Sequence, residues 1–314
     1  MIQRRARSML CGGHRALGVA LALVGLVAGT GCIDDLPPGW KIADARVLGV
    51  RVEVVGDESV AAPSPGDTAR ISVVFAEPPG TESEPIGWAF LAGPGLVEGD
   101  ERPIALEVPI PDAATLGMTR SVTTAGIVCS NGTPVFGTGE MLPSCSAGAT
   151  RSTTLTYTLS LARDGVAANR NPTLGDELVQ LDDVLWEAPS DPLPATGCAA
   201  IAGTAALPLV PVSMTAKVLR VFVADAERES FTRADGSNAR EVITLSHFTS
   251  GGELERQFSV WEGDAVALPE GSEIEWTPTA ITPSADGTLV RFWFVARDGR
   301  GGLAFTTRAA CVVP

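Results

Sequence analysis

The side chains of this chain that could do chemistry are few in kind: two histidines, six cysteines and 37 carboxylates in 314 residues. Downstream of the N-terminal apolar segment one histidine remains, His247. A Ser-His-Asp triad would hang on it alone, and no Gly-x-Ser-x-Gly elbow accompanies it. His247 shares strand parity with Ile243 and Leu245, which points to a half-buried strand residue instead of a base. No Gly-x-x-x-x-Gly-Lys phosphate loop occurs. The carboxylates suffice for a two-acid hydrolase, yet spacing singles out no pair. Asp164, Asn169, Asn171 and Asp176 offer oxygens to a calcium ion without EF-hand or cadherin-type spacing, and they read as turn residues. The expectation is a non-enzyme with no catalytic residue, no metal site and no cofactor.

Four cysteines lie beyond residue 32: Cys129, Cys145, Cys198 and Cys311. No two form Cys-x-x-Cys, so neither a zinc ribbon nor a redox motif is indicated. Three pairings are possible. We favour Cys129–Cys145, which staples a loop rich in Gly, Ser and Pro, together with Cys198–Cys311. By loop entropy these would contribute about 3 and about 4–5 kcal/mol.

One further constellation invites binding. In the run from Thr288 to Arg297, alternation puts Val290, Phe292 and Phe294 on one face and Arg291, Trp293, Val295 and Arg297 on the other. An exposed Arg291-Trp293-Arg297 face would stack on a sugar or anchor a protein. A central strand covered on both sides fits the same pattern, and we lean to it. A polysaccharide-binding module predicts an exposed aromatic row among Trp186, Trp261, Trp276 and Trp293.

These residues sit in an exported chain. Arg4, Arg5, Arg7 and Arg15 precede an apolar run from Ala16 to Ala28, then Gly29-Thr30-Gly31-Cys32. The run is shorter than the roughly 20 residues a membrane span needs, and its flanks fit a cleaved signal peptide over residues 1–31. The segment resembles a bacterial lipoprotein signal, with Gly29 where that family usually carries Leu. The resemblance implies lipid attachment at Cys32 and a membrane partner through that lipid, with a tether over residues 32–45. Removing residues 1–31 takes away four arginines and no acid, so the net charge of −14 becomes about −18. Such a surface repels phosphate, and nucleic acid is not an expected partner.

From residue 46 onward, alternation between turn clusters dominates. Leu48, Val50, Val52 and Val54 share one face of a run, as do Ile71, Val73 and Phe75, then Ile86, Trp88 and Phe90, then Leu155, Tyr157, Leu159 and Leu161. The fold class is all-β. Thr154–Gly165 aligns with Thr288–Gly299 at six of twelve positions, and Thr68–Phe75 aligns with Thr215–Phe222, which reads as a duplication. Asn169-Arg170-Asn171-Pro172 marks the break and is similar to the entry of bacterial immunoglobulin-like repeats. That similarity implies two tandem immunoglobulin-like antiparallel β-sandwiches, over 46–168 and 169–314.

The mature chain also resembles predicted myxobacterial-type lipoproteins through Leu36-Pro-Pro-Gly-Trp40, Arg46-Val-Leu-Gly-Val-Arg-Val52, Asn169–Pro172 and Val295–Gly302. The resemblance implies no established activity. Taken with the signal and the β architecture, the expectation is a lipid-anchored cell-envelope protein at the outer membrane, periplasmic or surface-facing. It would act as a structural, protein-interaction or adhesion module toward an unidentified envelope protein or polysaccharide.

Overall fold

The computed structural model describes residues 38–81, 84–92, 95–137, 143–162, 167–175, 178–190, 193–233, 235–262 and 271–314. Residues 37–314 form one compact unit. Cys32, Asp164 and Asp176 lie outside the described residues.

The first sandwich uses β1 (Arg46–Val54), β2 (Thr68–Ala76), β3 (Ile86–Ala92), β4 (Gly95–Gly99), β5 (Ala105–Pro109), β6 (Ser121–Ser130), the short hairpin β7 (Pro134–Val135) and β8 (Ser144–Cys145), and β9 (Arg151–Ser160). One sheet runs β1-β2-β5 and the other β4-β3-β6-β9, all antiparallel. Inward residues of alternate strand positions fill the space between them: Val50, Val52, Ile71 and Val73 meet Ile86, Trp88, Phe90, Val128 and Leu159.

The second sandwich uses β10 (Val179–Leu181), β11 (Val184–Leu185), β12 (Leu209–Pro211), β13 (Lys217–Val221), the hairpin β14 (Ser230–Thr232) and β15 (Asn238–Arg240), β16 (Ile243–Thr249), β17 (Glu253–Leu254), β18 (Phe258–Trp261), β19 (Ser272–Thr277), β20 (Thr288–Arg297) and β21 (Leu303–Val313). Its sheets run β11-β10-β13-β19-β17 and β12-β21-β20-β16-β18. Trp186, Trp276, Phe292 and Phe294 dominate its core.

Set side by side, the two sandwiches share an order of seven strands, to which the second adds β11, β17 and β12, the last pairing parallel with β21 against the expectation of purely antiparallel sheets. β1-β2-β5 corresponds to β10-β13-β19, and β4-β3-β6-β9 to β18-β16-β20-β21, with the strands visited in the same sequence. The match of Thr68–Phe75 to Thr215–Phe222 joins β2 to β13, which are equivalent. The match of Thr154–Gly165 to Thr288–Gly299 joins β9 to β20, which are not: the counterpart of β20 is β6. Both segments are long strands running into Ala-Arg-Asp-Gly, so that second likeness stems from a shared strand-and-exit chemistry and not from a shared place.

Two expectations need correcting. Leu48 does not join Val50 and Val52, because the β1–β2 register shifts between Val47 and Gly49. The bulge reverses parity. Leu48 therefore points away from the first core, into a separate cluster with Ile42, Val74, Ala76, Phe248, Trp293, Val295 and Leu303. Residues 38–45 are also not all tether. Ile42 is buried, its amide donates to Thr249 O at 2.8 Å, and Thr249 N donates to Trp40 O at 3.0 Å. The chain thus clips onto β16 of the second sandwich before it enters the first.

Candidate functional site

The Arg291-Trp293-Arg297 face is not a binding surface. Trp293 is 5% exposed, Arg291 is buried and Arg297 half-buried. β20 is a central strand, and its outer face is roofed by β1, β2 and the clip at Ile42. Arg297 is held there, with Nη1 donating to Ser246 Oγ at 2.8 Å and Nη2 to Leu48 O. The other three tryptophans of the expected aromatic row are buried too, Trp186, Trp261 and Trp276 all below 5% exposure. Trp186 and Trp276 pack edge-on against Phe292 at 5.0 and 4.9 Å, their Nε1 atoms donating to Ala309 O and Gly251 O at 2.9 Å. A polysaccharide-binding row of these four side chains is therefore overturned.

The place where polar chemistry does converge is the joint between the sandwiches. Asn169 and Asn171 lie there, both buried, on the segment expected to be a break. Their backbones are held by Ala61 N donating to Asn169 O at 2.8 Å and Asn171 N donating to Ser59 O at 2.7 Å. Their side-chain amides act as struts. Asn169 Nδ2 donates to Asp298 Oδ2 at 2.7 Å. Asn171 Nδ2 donates to Val52 O at 2.7 Å, while its Oδ1 accepts from Leu303 N at 3.0 Å. The Asn171 Oδ1 is thus taken up by a backbone amide, while the buried Asn169 Oδ1 meets no hydrogen-bond donor among the described residues. Among the described residues no group of three or more His, Cys, Asp or Glu is placed to hold a metal.

Asp298 closes the β20–β21 turn, accepting from Arg300 N at 2.7 Å and Gly302 N at 2.9 Å. A Cβ on Gly302 would fall 2.1 Å from Asp298 Oδ2, so only glycine admits this approach. Beyond it, Arg300 Nη1 donates to Glu241 Oε1 at 2.7 Å, and Glu241 Oε2 accepts from Glu229 N at 3.1 Å. Burial, helped by the nearby Asp298 charge, pushes the Glu241 carboxyl up to about 7. Burial likewise raises Asp298 against its hydrogen bonds. A raised acid beside a second carboxylate is a pattern of active sites. Here the two are 1% and 2% exposed and capped by protein donors, so no substrate reaches them.

The same holds for His247. Its Nδ1 meets Gln257 O at 3.1 Å, and its Nε2 meets Ser272 Oγ at 3.2 Å. A serine on a histidine has the outline of a nucleophile and base. The pair is buried, the other ring nitrogen faces a carbonyl instead of a carboxylate, and Ser272 is bound again by Ser259 Oγ at 2.5 Å. Burial pushes the His247 imidazole down to about 4. It is a neutral core residue. Ser272, 25 residues away, carried no signal that could have linked it to His247.

Arg308 was not foreseen either. It is fully buried on the core side of β21, its Nε donating to Trp186 O at 2.5 Å and its Nη1 to Thr307 O at 2.6 Å. The cysteines pair as Cys129–Cys145 and Cys198–Cys311. The first ties β6 to β8, and the second ties the turn at Cys198–Ala200 to β21.

No family model matches the chain, and no curated protein matches it. Among solved structures it is similar to one from work on host cell surface retention of a 1.5-MDa bacterial ice-binding adhesin. The identity is 13% and the TM-score 0.21, over 86% of this chain. The chain spans 65% of that structure's length. At that score the two are not shown to share a fold.

Proposed function

We propose that the chain is a lipid-anchored, non-catalytic protein of the bacterial cell envelope, attached at Cys32 and placed at the outer membrane. Its two sandwiches act as one rigid protein-interaction or adhesion module. The observation that carries this reading is the joint. An apolar cluster of eight buried residues and the Asn169, Asn171 and Arg297 hydrogen bonds weld the sandwiches together. Domains meant to close on a substrate keep a small, polar, mobile boundary; this one is buried and specifically bonded. The buried carboxylates Asp298 and Glu241 are bonded to protein donors at or beside that joint. Two disulfides agree with an oxidising compartment.

Two measurements test it. Metabolic labelling with palmitate, comparing the natural chain with Cys32→Ser, is expected to label only the former. Crosslinking in intact envelopes is expected to trap a specific protein with the anchored chain and not with Cys32→Ser. Retention on envelope glycan with no protein neighbour would reject the protein-interaction reading in favour of polysaccharide binding through some other surface.

A further inference from the structure

The second sandwich exposes apolar side chains at two opposite edges. At one, Val184 (65% exposed) on β11 and Leu209 (49%) on β12 border a recess of about 480 Å³. At the other, β18 ends the five-stranded sheet and turns Phe258 and Val260 outward, each 50% exposed. Phe258 stands opposite Ser246 and Val260 opposite Thr244, on the same face of the sheet as Trp293 and Val295. The apolar face covered by the first sandwich therefore continues past its cover, onto β18.

The clip decides which edge faces a membrane. Pro38, the first described residue, leads into Gly39, where an added Cβ would lie 2.8 Å from Gln257 Oε1, one residue before Phe258. Arg46 fixes the spot, with Nη2 donating to Gly39 O at 2.6 Å and the guanidinium 5.3 Å over the Phe248 ring. Cys32 precedes Pro38 by six residues, which span about 20 Å at full extension. We infer that β18 is the membrane-facing edge, with Phe258 and Val260 resting in the headgroup region of the bilayer that holds the Cys32 lipid; this rests on the anchoring proposed above. The occupant is a zwitterionic lipid surface, because the chain carries a net charge of −14 and the charges beside the strand offer no surplus cation: Arg256 is paired with Glu255 at 3.1 Å and Glu262 follows the strand. Two half-exposed apolar side chains would bind a bilayer too weakly from solution. On a tether this short the encounter is intramolecular, and a weak patch suffices to set orientation.

The test uses the full lipidated chain in phosphatidylcholine–phosphatidylethanolamine vesicles whose acyl chains carry bromine, which quenches nearby indole fluorescence. Phe258→Trp and Val184→Trp each add one exposed indole, at opposite edges, to the unsubstituted background. The added Phe258→Trp signal is expected to be quenched at least twofold more than the added Val184→Trp signal. Val260→Asp placed on Phe258→Trp is expected to abolish that difference. Equal quenching at both edges, or stronger quenching at Val184→Trp, in protein that floats with the vesicles overturns the orientation and leaves the anchor standing. Protein that takes up no palmitate and fails to float overturns the anchor and the orientation with it.

Discussion

The two sandwiches have one topology and use their outer faces differently. On β9, at the edge of the first, the outward residues Thr154, Thr156, Thr158 and Ser160 are exposed, while Leu159 turns inward. On β20, central in the second, both faces are covered: Val290, Phe292 and Phe294 enter the core and Trp293 and Val295 enter the joint. The comparison teaches that strand order fixes which residues can share a core. The chemistry of the outer face depends on what packs there. The covering is mutual: Leu48, Val74 and Ala76 of the first sandwich are buried by the same contact that buries Trp293 and Val295 of the second.

Several substitutions would break or sharpen this comparison. The greatest loss is expected from opening Cys198–Cys311, which closes a separation of 113 residues, against 16 for Cys129–Cys145. Loop entropy gives about 4–5 kcal/mol for the double Cys→Ser variant of the former and about 3 for the latter. Chemical denaturation of both variants checks the order, and a reversed order would place the constraint in the first sandwich.

Trp293→Ala comes next. It empties the joint and is expected to cost about 3–5 kcal/mol, whereas Thr156→Ala on the exposed face of β9 should stay within about 0.5 kcal/mol. If calorimetry of Trp293→Ala showed two separated transitions, the sandwiches would be independent folding units. A single transition at lower temperature is the expected result.

The pH dependence separates the joint from the second core. Glu241 rises from 4.5 to about 7 on folding, so between those values the folded chain holds a proton the unfolded chain has lost. Stability from this group is full below about pH 4.5 and falls as pH rises through 7, by about 3 kcal/mol. His247 drops from 6.5 to about 4, so its contribution is present above pH 6.5 and is lost on acidification, with similar size and opposite slope. The two partly cancel between pH 4.5 and 6.5. Glu241→Gln is expected to expose the His247 slope, and urea midpoints would climb from pH 4.5 to 6.5. A midpoint that stayed level in Glu241→Gln would remove His247 as a titrating group, and a natural chain that climbed as steeply as the variant would remove Glu241.

Much of the fold was legible because strand alternation reports local burial. Parity alone puts Val50 and Val52, Ile71 and Val73, and Ile86, Trp88 and Phe90 each on one face of its run, and those faces meet in one core. Leu48 was misplaced because a bulge is a one-residue event without a composition signal. The joint was half legible. Asn169 and Asn171 stood out as unusual, yet their role as donors depends on Asp298 and Val52, more than 100 residues distant. Trp293 was legible as covered, but what covers it was not. Alternation between Arg291 and Arg297 allowed either solvent or a second cover, and the favoured central strand covered on both sides is what stands here, with Leu48, Val74 and Ala76 from the first sandwich as the cover.

The clip at Trp40–Ile42 also bears on timing. Among the described residues it stands at the N-terminal end, and its partner Thr249 is made about 200 residues later. The first sandwich can condense while that stretch still waits, unpaired, for β16 to appear. The stem at Trp40–Ile42 is therefore among the last parts of the described chain to close, after β16 has emerged.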